Sequence, residues 1–138
     1  MNQKPTLQAL LLADQVYTDR ATGKHVIAGT FNGLFASEFP AVFGRATFVY
    51  LSLTNIRKKV EIRLRYVSLK DYSVLLEATP ITIECSDPLA TVELAVQIPP
   101  FPMPEPGSYA FEVHSGGELI GSTRMLVQAK PEAPQQEK

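Results

Sequence analysis

Apolar and polar residues alternate with a period of two along most of this chain. The clearest run sets Val60, Ile62, Leu64 and Tyr66 against Glu61, Arg63 and Arg65. Successive side chains of a strand point to opposite faces, so this run predicts a strand with one buried and one wet face. The same period marks Lys24–Phe31, Thr91–Ile98, Tyr109–His114 and Leu119–Val127. Shorter strands are expected at Ser73–Ala78 and Ile81–Cys85, split by Pro80. Leu7–Tyr17 is read as the first strand, although Leu10, Leu11 and Leu12 blur the period and leave helix as a competitor. Asn32-Gly33 has the composition of a two-residue hairpin turn. A bulge or bend is the alternative, because Leu34–Phe39 behind it alternates poorly. Ala46–Thr54 breaks the rule in another way. It carries Phe48 and Tyr50 on one face and Val49, Leu51 and Leu53 on the other. A strand apolar on both faces is central, or its outer face meets another chain.

The densest turn chemistry lies late in the chain. Pro99, Pro100, Pro102, Pro104 and Pro106 precede Gly107-Ser108-Tyr109. Proline lacks the ladder donor, so this block reads as a crossover without ladder hydrogen bonds. Gly107 then permits the bend and Tyr109 pins a tyrosine corner of the kind found in Greek-key sandwiches. The expected fold class is all-β: an antiparallel Greek-key β-sandwich of about eight strands. It is immunoglobulin-like at most, since Phe111 stands where that pattern wants cysteine, and the chain has no tryptophan. The expected organisation is a loose N-terminus over residues 1–6, one domain over 7–127, and a disordered tail over 128–138, where large apolar residues stop.

Composition narrows the function classes. Hydrophobic content of 45% and charged content of 20% are those of an ordinary globular domain. A net charge of −1 gives no overall pull toward polyanions. The single Cys85 allows no internal disulfide, and no apolar run is long enough to span a bilayer, so a cytoplasmic setting is expected. Leu7–Ala13 is too short and too weakly flanked for a signal peptide.

Four constellations could carry chemistry. Arg57, Lys59, Arg63 and Arg65 would form a basic stripe about 27 Å long if pairing runs unbroken through them. Such a stripe could meet nucleic acid or an acidic partner. No aromatic platform interleaves it, so a solvated face is the favoured reading. The motif Pro99-Pro100-Phe101-Pro102 has the P-x-x-P form that SH3-type domains dock, but no basic residue flanks it. His25, His114 and Cys85 are too scattered for zinc, and Cys85 alternates with Ile81 and Ile83 as a core thiol would. Asp14, Asp19, Glu84 and Asp87 do not follow a calcium-loop spacing. No metal, cofactor or catalytic residue is therefore expected.

Ala9–Asp14, Ile27–Phe31, Phe39-Pro40-Ala41, Pro104–Phe111 and Gly117–Ile120 together resemble the landmarks of a family of small bacterial proteins of unknown function. The resemblance implies a β-sandwich and a bacterial source, and it implies no functional residue. The expected role is a non-enzymatic interaction or scaffold module acting through a sheet face or edge. Its partner would be a second copy or another protein rather than nucleic acid or membrane. The two-faced strand bearing Phe48, Val49, Tyr50, Leu51 and Leu53 is the expected surface, covered either by the Phe35–Phe43 segment or by a second protomer.

Overall fold

The computed structural model describes residues 4–131. Those residues contain no helix and twelve strands. In chain order they are β1 (Thr6–Thr18), β2 (His25–Thr30), β3 (Gly33–Ala36), β4 (Ala41–Phe43), β5 (Thr47–Thr54) and β6 (Lys58–Ser68). There follow β7 (Val74–Glu77), β8 (Ile81–Cys85), β9 (Val92–Ile98), β10 (Phe101–Met103), β11 (Gly107–Ser115) and β12 (Glu118–Ala129). One sheet has the order β2-β1-β5-β9 and the other β3-β12-β11-β6-β7, with β4 and β10 paired as a separate ribbon. Ile62 of β6 faces Ser115 of β11 on one side and Ile81 of β8 on the other. β7 and β8 therefore share one edge of β6.

Both sheets feed a single core. Val49, Leu51 and Leu53 come from the first sheet, and Leu64, Tyr66, Val113 and Val127 from the second. Each fully buried aliphatic side chain of this size contributes roughly 1.5–3 kcal/mol relative to an exposed one. An aromatic group fills one end. The Tyr66 ring stacks on Phe111 at 4.8 Å and on Tyr109 at 5.5 Å, and Phe101 meets Tyr66 at 5.0 Å. Phe43 extends the group, its ring 5.3 Å from that of Phe101.

The structure corrects several expectations. There are twelve strands rather than about eight, because the three- and four-residue pieces β3, β4 and β10 pair where the pattern showed only loops. The sheets are not wholly antiparallel, since β3 runs parallel to β12. The proline block is not free of ladder pairing: Phe101–Met103 pairs with β4, Pro102 standing opposite Val42. Proline is tolerated there because this is an edge strand, with Phe101 and Met103 turned into the core. Asn32-Gly33 is not a hairpin turn but a bend, one of the expected alternatives. A type I′ turn needs positive φ at both residues, and neither has it. The chain instead crosses there from β2 in one sheet to β3 in the other. The two-residue hairpin lies at Gly116-Gly117, with φ of 60° and 80°, joining β11 to β12.

The boundaries also move. Pro5 is buried and Thr6 belongs to β1, while β12 runs to Ala129 and the Lys130 amide donates to Ala36 O at 2.8 Å. Residues 128 and 129 are thus strand, held by β3. The remainder of the expected loose termini, 1–3 and 132–138, lies outside the described residues. The corner at the proline block forms as expected. Tyr109 Oη donates to Glu105 O at 2.5 Å and accepts from Glu105 N at 3.2 Å. Gly107 takes a φ of +154°, which an L side chain rarely adopts.

Candidate functional site

The two-faced strand is β5. Val49, Leu51 and Leu53 have no exposed surface and belong to the core. Phe48 and Tyr50 lie on the outer face, Phe48 half-buried and Tyr50 8% exposed. The cover on Tyr50 is not the Phe35–Phe43 segment. That segment sends Phe39 and Phe43 against the core and leaves Phe35 exposed. The cover is the β1–β2 hairpin. His25 pairs with Thr18, seven residues along β1 from Leu11, which faces Tyr50. In a flat sheet those positions would stand about 24 Å apart. Yet the His25 and Tyr50 rings are 6.0 Å apart, edge to face. The hairpin therefore arches back over the outer face, which also explains why Ala13 on that face is fully buried. Within the hairpin Gly29 takes a φ of +72°, and a Cβ there would stand 2.5 Å from Asp14 Oδ2. Tyr50 Oη donates to Glu93 on β9. Burial, and secondarily that carboxylate, push its phenol up to about 12.

The basic stripe is shorter than expected, and it is neutralised. Lys58 has a φ of 68° and the Lys59 amide donates to Arg57 O at 2.8 Å, a γ-turn that takes Arg57 out of the strand's alternation. Lys59, Arg63 and Arg65 remain on the outer face of β6, but each has an acid beside it. Lys59 stands opposite Glu84, and Arg65 stands between Glu112 and Glu77. Arg63 Nη1 donates to Glu77 Oε1 at 2.8 Å, with Glu61 at 3.5 Å from Nη2. The Arg63 hydrogen bond holds the Glu77 carboxyl below its usual range.

Next to this network lies a group that the alternation did not reveal. Glu112 lies on the polar side of the Tyr109–His114 alternation with His114, yet it is only 4% exposed. Tyr72, from the β6–β7 turn, reaches across and donates to Glu112 Oε2 at 3.2 Å, and His114 Nε2 lies 2.9 Å from Oε1. Forty residues separate Tyr72 from Glu112, and nothing local in either segment marks the contact. His25 and His114 are thus in different places, against Tyr50 and Glu112. Cys85 points toward the core as expected but is half-buried, its thiol donating to Asp87 O at 3.2 Å. Asp19 closes its own loop through Thr22 and the Ala21 amide, and Asp87 accepts from the Leu89 amide. Among the described residues no three His, Cys, Asp or Glu side chains converge to hold a metal. No helix among them is long and apolar enough to cross a membrane.

One feature of the framework is not consumed by the fold. β9 ends its sheet, and among the described residues no strand pairs with its other edge. It is seven residues long and pairs with β5 without a register shift. The other edges are shorter: β3 and β7 have four residues, β8 five, and β2 six with a left-handed Gly29. β9 carries no lysine, proline or bulge, and its one charged guard is Glu93. Where β9 faces β7, a small, mainly apolar cleft of about 20 Å³ lies between the sheets, lined in part by Leu64, Tyr66, Leu76, Val96, Ile98 and Phe111.

A family model described as "Family of unknown function (DUF6941)" matches residues 8–128. The chain belongs to the DUF6941 family. The matched span starts inside β1 and ends inside β12, so DUF6941 corresponds to the two-sheet domain. The open edge, the cleft, the tyrosine corner and the Glu112 group all fall inside it. No curated protein matches the sequence.

Proposed function

We propose that this domain is a non-enzymatic interaction module that takes up an added strand along the open edge of β9. The carrying observation is the combination of an unpaired seven-residue edge, in unbroken register with β5, and a small apolar cleft beside it. Strand addition uses main-chain hydrogen bonds for affinity and alternate side-chain pockets for selection. Here the incoming strand's inward residues would lie against the cleft. The side chains best suited to chemistry are already engaged: His114 with Glu112, His25 with Tyr50, Cys85 with the Asp87 carbonyl. The two facing sheets and the corner at Tyr109 support an immunoglobulin-like sandwich as the framework.

Residue-resolved hydrogen exchange tests this. In dilute protein, the β9 amides not bonded to β5 should exchange far faster than those of β5. Seven-residue peptides of alternating apolar and polar residues, or higher protein concentration, should slow them. If neither slows any β9 amide, the edge is not a binding site and the proposal fails.

A further inference from the structure

The same edge also says what kind of strand it fits. Resting on the reading of β9 as a strand-addition site, we propose that its partner is the β9 of a second copy. The two would pair antiparallel about a two-fold axis through Ala95.

The strand Val92–Ile98 is compatible with its own reverse. Full overlap of seven residues centres the pairing on Ala95 and sets Val92 opposite Ile98, Glu93 opposite Gln97 and Leu94 opposite Val96. Directly opposed residues of an antiparallel pair lie on the same face. All inward positions would then be aliphatic in both copies. The only charge on the strand, Glu93, would meet Gln97 rather than another carboxylate. The two-fold axis would pass by Ala95, an exposed residue and the smallest on the strand, so nothing bulky meets itself there. The ladder would stop cleanly at both ends, because Pro99 follows Ile98 and has no donor to extend it. Such an isologous contact joins the two four-stranded sheets into one of eight. The half-buried Val92, Leu94 and Val96, which already touch the core from its open side, would gain a second aliphatic row beside them. The contact is small, so it belongs to the weak, reversible class of interfaces.

The test is sedimentation equilibrium of the full chain over a wide concentration range. It covers the wild type, Ala95→Lys and Gln97→Lys, with far-UV circular dichroism checking each fold. The wild type should rise toward twice the monomer mass. Ala95→Lys places two lysines directly opposite each other on the axis, at an exposed position, and should stay monomeric while folded. Gln97→Lys faces Glu93 of the other copy twice, once on each side of the axis, and should tighten the dimer about tenfold. A wild type that stays monomeric at every concentration overturns self-pairing. So does a dimer indifferent to both substitutions. The strand-addition reading is judged separately. Peptides that slow β9 exchange on a strictly monomeric protein would keep that reading and discard self-pairing, whereas silence in both experiments would discard both.

Discussion

Replacing Tyr109 by phenylalanine tests whether the corner stabilises the fold as its geometry requires. The substitution keeps a ring that is buried against Tyr66 and removes only the hydroxyl. Two hydrogen bonds go with it, the short one to Glu105 O and the longer one from Glu105 N. A neutral hydrogen bond contributes a net ~0.5–1.5 kcal/mol. The longer bond counts toward the lower end, because Glu105 is exposed and water can reach its amide. The loss should total about 1.5 kcal/mol. For a domain of this size that lowers Tm by roughly 6 °C. The assay is urea unfolding followed by far-UV circular dichroism, with an unchanged m-value showing that only stability moved. Tyr66→Phe is the comparator, since it removes a single bond, from Tyr66 Oη to Pro102 O at 2.9 Å, and should cost about 1 kcal/mol. Tyr109→Ala should cost about 3–5 kcal/mol, because a cavity is added to the lost bonds. If Tyr109→Phe is as stable as the wild type, the corner is only a consequence of packing and its hydrogen bonds stabilise nothing.

Gly29→Ala should destabilise by about 2 kcal/mol or more, since it combines a left-handed φ with a Cβ driven into Asp14. Faster amide exchange in β1 and β2 than in β11 would show that the hairpin cover has loosened. The Tyr50 phenol is raised to about 12 in the folded state, so folding favours its neutral form. The stability this supplies is complete below the ordinary tyrosine value of about 10 and is lost as pH rises through about 12. Absorbance titration near 295 nm should therefore show a late step that disappears in Tyr50→Phe. Glu77 works in the opposite sense, because its folded carboxyl lies below its unfolded value. Its contribution is present above the unfolded value and fades as pH falls through the folded one. Glu77→Gln should slightly flatten the acid limb of urea midpoint against pH, and high salt should remove the difference, as expected of exposed pairs.

The period-two alternation was enough to place the long strands, because a strand's faces are written directly into consecutive residues. It located β6, β9, β11 and β12 and put Ile62, Leu64, Tyr66, Phe111 and Val113 inside. Turn chemistry placed the corner at Gly107 and Tyr109, since proline, glycine and tyrosine act there through local backbone geometry. Neither signal reaches beyond its own segment. The arch of the β1–β2 hairpin over Tyr50, the Tyr72 hydroxyl on Glu112 and the acids beside Arg63 and Arg65 join residues far apart in the chain, so only packing could reveal them. Lys58 shows the same limit on a small scale, for one left-handed residue removed Arg57 from a stripe that spacing alone had made continuous. The sequence alone determined that this chain builds apolar-lined sheets closed by a tyrosine corner. The tertiary structure decided how the two-faced strand was covered, which charges were spent, and that the unpaired edge was β9. Edge status depends on which strands become neighbours, and residue alternation is the same for an edge strand and a central one.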